Sequence, residues 1–194
     1  MQQRSETTRT KITESAIKLF SDRGYDAASV DDICEDAGVS KGAFYHHFAT
    51  KQALFLTLLD GWLKIVDNAI EATNQKPAPE TFVQMATAFP RIFETAGGHL
   101  PMILEFWLQA SRDEEVWKAT IAPYRRYQEY MASLIRKGIA EGTFVKVDPE
   151  IASRLIVATA MGLLLESLMD PKGARWDKVA HESTSMLLNI LLKG

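Results

Sequence analysis

The chain is predicted to be all-α: an N-terminal three-helix head carrying a helix-turn-helix, then a helical C-terminal domain, about nine helices together. Three observations point there. Apolar residues recur three and four positions apart along nearly the whole chain, as one face of a helix requires. Glycine, proline and capping residues punctuate that pattern at helix-length intervals. No stretch alternates apolar and polar residues as a half-buried strand does.

The first helix is expected over residues 7–23, where Ile12, Ala16, Leu19 and Phe20 form one stripe, and Gly24 suits the left-handed residue that closes it. Ser29 opens a second helix, with Asp32 three positions on as its capping-box partner, and Ala37-Gly38 ends it. Ser40 caps a short third helix ending near Phe48, and Thr50 caps a long fourth reaching about residue 73. Lys76-Pro77-Ala78-Pro79 is the clearest break. A fifth helix follows over 80–96, closed by Gly97-Gly98, a sixth over 99–110, and a seventh over 113–141, bent at Pro123 and stopped by Gly142. Asp148-Pro149, a cap followed by a first-turn proline, opens the eighth, which runs to Met169. The turn Asp170-Pro171-Lys172-Gly173 leads into a ninth over 176–192. The resulting division is a head, residues 1–51, and a second domain, residues 52–194.

Composition excludes several classes. With 46% hydrophobic and 24% charged residues, the balance is that of an ordinary globular protein. There is no run of 18 apolar residues, and the first residues are polar, so the expectation is a cytoplasmic protein with no membrane partner. The single cysteine, Cys34, cannot form an intramolecular disulfide and falls among packing positions, where a thiol is inert. The net charge of −3 gives no support to nucleic-acid binding, and residues 1–51 hold seven basic against eight acidic side chains. A DNA-binding role must therefore rest on where the cations sit.

Residues 30–48 read VDDICEDAGVSKGAFYHHF, two short helices joined by the tight turn Ala37-Gly38-Val39, which is helix-turn-helix geometry. Ile33, Ala37, Val39, Phe44 and Phe48 supply its internal core. The outward face of the third helix then carries Lys41, Gly42, Ala43, Tyr45, His46 and His47: small residues for close approach and polar tips for phosphates and base edges. Tyr45 suits a phosphate contact better than a base. His46 and His47, adjacent on a helix, point about 100° apart and cannot chelate one metal. Ser40 and Thr50 stand at helix N-termini, where free backbone N–H groups favour a phosphate, and Lys51 adds a full charge.

The run from Ser40 to Lys51, with Leu19-Phe20, Gly24-Tyr25 and the residues from Ile33 to Val39 upstream and Ala53-Leu54-Phe55 downstream, resembles the N-terminal signature of the tetracycline-repressor (TetR) family over residues 11–58. The resemblance implies a homodimeric DNA-binding regulator, most members of that family being repressors. It makes Ser40, Lys41, Gly42, Ala43, Tyr45, His46, His47 and Lys51 the DNA-facing set, joined by Thr50, and puts Ser29 on a phosphate. Arg4 and Arg9 correspond to a basic arm suited to the minor groove, and Asp31, Asp32, Glu35 and Asp36 are expected to point away from the duplex.

Beyond residue 80 there is no phosphate-binding glycine loop, metal-ligand spacing or nucleophile with a base, so no enzyme activity and no cofactor are expected. Aromatic and methionine residues recur instead. The resemblance places a ligand pocket among helices four to seven, with Trp62, Phe89, Phe93, Met102, Glu105, Phe106, Trp117, Tyr124 and Tyr127 as candidates, and core packing as the competing role for each. Glu105 interrupts an apolar run, so it either lines the pocket toward a cationic ligand or meets water or an arginine. The eighth helix is apolar on nearly every side, more than one subunit can bury. Leu155, Ala158, Gly162 and Leu165, with Leu187 and Leu191 of the ninth, are the candidate dimer interface, a four-helix bundle in the family. The expected partners are a pseudo-palindromic duplex operator, a hydrophobic small-molecule effector and a second copy of the chain. The alternative is a ligand-independent DNA-binding or protein-assembly module.

Overall fold

The computed structural model describes residues 2–71, 76–85 and 100–192, and these are helical with a single antiparallel bridge, Phe144 to Leu192. In order they form α1 (Gln2–Arg23), α2 (Val30–Ala37), α3 (Lys41–His47), α4 (Lys51–Glu71), α5 (residues 78–85), α6 (Leu100–Ala110), α7 (Glu114–Ala140), α8 (Pro149–Met169) and α9 (Trp176–Leu191). The expected fifth helix, 80–96, lies outside the described residues beyond position 85. The first helix begins earlier than the sequence pattern suggested, and α7 runs through Pro123 as one element.

Local chemistry sets the starts and stops. Ser29 accepts the Asp32 N–H at 3.1 Å while the Asp32 carboxylate accepts the Ser29 N–H at 2.8 Å, a reciprocal cap worth about 1 kcal/mol. Gly38 closes α2 at φ +64°, a conformation that strains any residue with a Cβ. Ser40 Oγ accepts the Ala43 N–H at 3.1 Å, Thr50 Oγ1 accepts the Ala53 N–H at 2.9 Å, and Asp148 takes the N–H groups of Glu150 and Ile151.

The chain divides into two compact units that do not follow the expected 51/52 boundary. The first takes α1–α3, α4 as far as Ile65, α6, and α7 as far as Thr120; the second takes the described remainder. The reason lies in the core of the first unit. Phe55 of α4 packs on Phe20 of α1 (ring centroids 5.7 Å) and on Phe106 of α6 (4.5 Å), so α4 and α6 finish a core that α1–α3 leave open. In the second unit, Phe82, Met131, Leu134, Ile135, Phe144, Leu188 and Leu191 form the core. Gly138 of α7 is required there, because a Cβ on it would lie 2.2 Å from the Phe144 ring.

Among the described residues, one helix, α8, is long and apolar enough to cross a membrane by length and composition, with mean hydropathy 1.6 over 18 residues. The absence of an uninterrupted apolar run did not disclose this, since Ser153, Arg154 and Thr159 break the run while the residues around them keep the mean high. Its inward face holds Ser153 and Ser167, both buried with their hydroxyls bonded to backbone carbonyls of the same helix. Outward stand Ile151, Leu155, Leu165 and Met169.

Candidate nucleic-acid interface

The short third helix is held from beneath. Phe44 and Phe48 are buried, their rings 5.9 Å apart, and join Ile12, Ala16 and Ile33 in the core of the first unit. Anchoring by those two residues leaves Lys41, Gly42, Tyr45 and His46 exposed and Ala43 and His47 half-buried. Tyr45 is 55% exposed, with its ring edge to face against Phe44. The His46 and His47 rings meet edge to face, 5.2 Å apart.

Flanking residues have more particular roles. Arg4 and Arg9 lie within α1 rather than on an arm preceding it. The Arg9 guanidinium sits 5.5 Å from the Phe48 ring centroid, and the side chain of Arg4 is outside the described residues. Arg9 and Thr50 share an open cleft of about 470 Å3 with Gln52, Ala53, Leu56, Thr57, Asp60 and Glu115. The hydroxyl of Ser29 faces the Asp32 carboxylate, so its proton is already engaged within the α2 cap.

Lys51 corrects the sequence reading. Its ammonium donates to the carbonyls of Tyr25 (2.8 Å) and Ala28 (3.0 Å) and lies 4.2 Å from the Tyr25 ring centroid. Burial pushes its pKa below the usual lysine value. With two of its three N–H donors committed to the loop between α1 and α2, Lys51 clamps that loop, a structural role that the sequence reading did not offer. The acidic cluster also differs from expectation. Asp36 pairs with Lys18, Asp32 closes its own cap with Arg23 4.0 Å away, and Asp31 reaches across to Lys41 on α3 at 2.7 Å. Pairing within the head, rather than orientation alone, offsets its acidity.

Glu105 is the second correction. Its Oε2 accepts the Tyr25 N–H at 2.8 Å, beside Gly24 at φ +83°. The carboxylate thus satisfies an amide freed where α1 ends, a partner that the sequence reading did not offer. Arg112 reaches Asp26 of the same loop at 3.3 Å, and Asp113, which caps α7, accepts Gln52 Nε2 at 3.2 Å. The end of α6 and the start of α7 are therefore fastened to the loop after α1 and to α4 by polar bonds the sequence did not reveal, since their partners lie up to 86 residues apart.

The other pocket candidates separate. Met102 and Phe106 are buried in the core of the first unit, so they are packing residues there, and Trp62 packs against the same core half-buried. Trp117 is 44% exposed. In the second unit Tyr124 accepts Gln128 Nε2 at 3.0 Å, while the Tyr127 hydroxyl donates to Asp67 at 3.0 Å, with Arg126 paired to the same carboxylate at 2.7 Å. Burial, with Asp67 nearby, pushes the Tyr127 hydroxyl pKa up. Phe89 and Phe93 lie outside the described residues.

On the candidate dimer face, Leu155 is 59% exposed, with Ala158 and Leu165 also exposed and Gly162 and Leu187 half-buried. Leu191, at 5%, faces the core of its own unit and is corrected to a packing residue. Its neighbour Ile190, with Met186 one turn before it, stands outward; both belong to the apolar stripe 186, 187, 190 and 191 that the sequence offers on this helix.

A buried-footed short helix presenting small and polar residues beside a capped partner defines a DNA-binding protein of the helix-turn-helix type. Comparison with known proteins agrees. Residues 12–58 match the model of bacterial regulatory proteins of the tetR family, and residues 83–189 match the C-terminal domain of BetI-type transcriptional repressors. The HTH-type transcriptional regulator UidR of Escherichia coli K12 is 26% identical over 171 residues, covering 86% of this chain and 84% of its own. Among solved structures, the TetR-family regulator PfmR of Thermus thermophilus is 29% identical with a TM-score of 0.77, over 92% of this chain and 97% of that one. A transcriptional regulator from Saccharomonospora viridis, solved in complex with choline, shares the fold with a TM-score of 0.83 at 21% identity, over 96% and 98%. The chain belongs to the tetR family of bacterial regulatory proteins and is a DNA-binding regulator of transcription.

Proposed function

We propose that this regulator represses its target genes as a homodimer bound to a pseudo-palindromic operator in the cytoplasm, and that a small amphiphilic molecule in the C-terminal domain releases it. The observation that carries the reading is the open polar face of α3, fixed by Phe44 and Phe48. Ser40, Lys41, Gly42, Ala43, Tyr45, His46, His47 and Thr50 are its proposed contacts, with Arg9 alongside. Dimerisation through the outward face of α8 and α9 sets two such helices one DNA turn apart, about 34–36 Å.

The polar fastening at Tyr25 supports a route for release. A ligand that displaces α6 shifts Glu105, which holds the Tyr25 amide, and Lys51 holds the same loop from α4. Movement of α6 then reaches the head rather than being absorbed in a loose joint. The effector acts by binding the misaligned state more tightly than the aligned one. The choline complex of the structural neighbour from Saccharomonospora viridis supports including a small organic cation among the effectors tested beside apolar ones.

The test is fluorescence anisotropy of a labelled duplex from upstream of the gene, titrated with the protein and then challenged with choline and longer-chain amphiphiles. Salt-sensitive binding reversed by one of them is expected, together with a raised melting temperature for the same compound. Binding that no compound reverses would remove the ligand-gated half of the proposal.

A further inference from the structure

Lys41, the first residue of α3 and its sole Lys or Arg, is already paired across the head surface. Its Nζ lies 2.7 Å from Asp31 Oδ1 in the first turn of α2, and the side chains are 62% and 65% exposed. Asp31 has no part in the α2 cap, which Ser29 and Asp32 complete between themselves. The other paired acids of α2 pair with α1 instead, Asp36 with Lys18 and Asp32 with Arg23.

We propose that Asp31 is a specificity-determining residue of the DNA interface: it withholds Lys41 from the phosphates of non-operator duplex and yields it when operator contacts seat the head. The inference rests on the DNA-binding reading above. An exposed ion pair is weak, so a phosphate can displace the carboxylate once α3 is seated. In a loosely held non-operator complex nothing forces that exchange, and non-specific affinity is almost entirely phosphate neutralisation. Removing the carboxylate therefore gives the non-operator complex a whole new cation. The operator complex gains only the small cost of breaking the pair.

Wild type, Asp31→Asn, Lys41→Gln and the double variant are titrated across a salt series. The probes are a random-sequence duplex and an operator selected with wild-type protein from a random duplex pool. Both positions are exposed, so melting temperatures are expected to be unchanged. Asp31→Asn is expected to tighten binding to the random duplex several-fold and to steepen its log–log salt slope by about 0.9 per head. The operator tightens less, so the ratio of the two affinities falls, and with Lys41→Gln present the effect of Asp31→Asn disappears. Unchanged affinity and slope on the random duplex would overturn the inference, as would weakened operator binding or an effect that survives Lys41→Gln. Wild-type protein that bound neither duplex would sink the DNA-binding reading itself, a result distinct from an inert Asp31→Asn.

Discussion

Two glycines in the head have opposite reasons for being there. Gly38 sits at φ +64°, where a Cβ is strained whatever space surrounds it. Gly38→Ala is expected to cost about 1 kcal/mol and lower the melting temperature by about 2–4 °C, with operator affinity intact below the transition. Gly42 has ordinary helical backbone, and a Cβ there would meet only Ser40 Oγ at 3.8 Å. Gly42→Ala should therefore stabilise the fold by about 0.5–1 kcal/mol while weakening operator binding by about tenfold or more, if the duplex passes as close as the face of α3 suggests. Thermal melts and anisotropy on the same samples separate the two effects. Residues acting over three or four positions were legible in the sequence: the Ser29–Asp32 box and the caps at Ser40 and Thr50 all stand as read. Lys51 and Glu105 were not, because their partners are 26 and 80 residues away and nothing local marks them.

Among the elements, α8 is the one whose surface is least explained by its own unit. Ile151, Leu155, Ala158, Gly162, Leu165 and Met169 follow one another at steps of four and three, the repeat of a helix that packs along a partner helix. Met169 is 78% exposed in the single chain. Leu155→Glu is accordingly expected to give a folded monomer by sedimentation, with helix content unchanged and operator affinity largely lost. A dimer that survives the substitution places the interface elsewhere. The sequence could show that α8 has more apolar surface than one core needs, and of the face it pointed to, Leu155, Ala158 and Leu165 are exposed and Gly162 is half-buried. On α9 the sequence groups Met186, Leu187, Ile190 and Leu191 in one apolar stripe, and the structure divides it, with Met186 and Ile190 exposed and Leu191 buried.

For the molecule as a whole, helix order and the reading head were written in local patterns, while the unit boundary was not. The division runs through α4 and α7 because Phe55 and Phe106 finish a core that three short helices cannot close alone, a requirement of packing and not of turn chemistry. The polar fastening of Tyr25 by Glu105 and Lys51 follows from the same closure. The most direct check on the function is a footprint on a duplex selected from a random pool, comparing wild type with Tyr45→Ala/His46→Ala. Both altered side chains are exposed, so the variant should melt with the wild type. The expected result is two symmetric protected half-sites, centred about 34–36 Å apart, present with wild type and absent with the variant. Equal protection by both proteins, or a wild type that protects no particular sequence, would contradict the claim that the open face of α3 reads DNA.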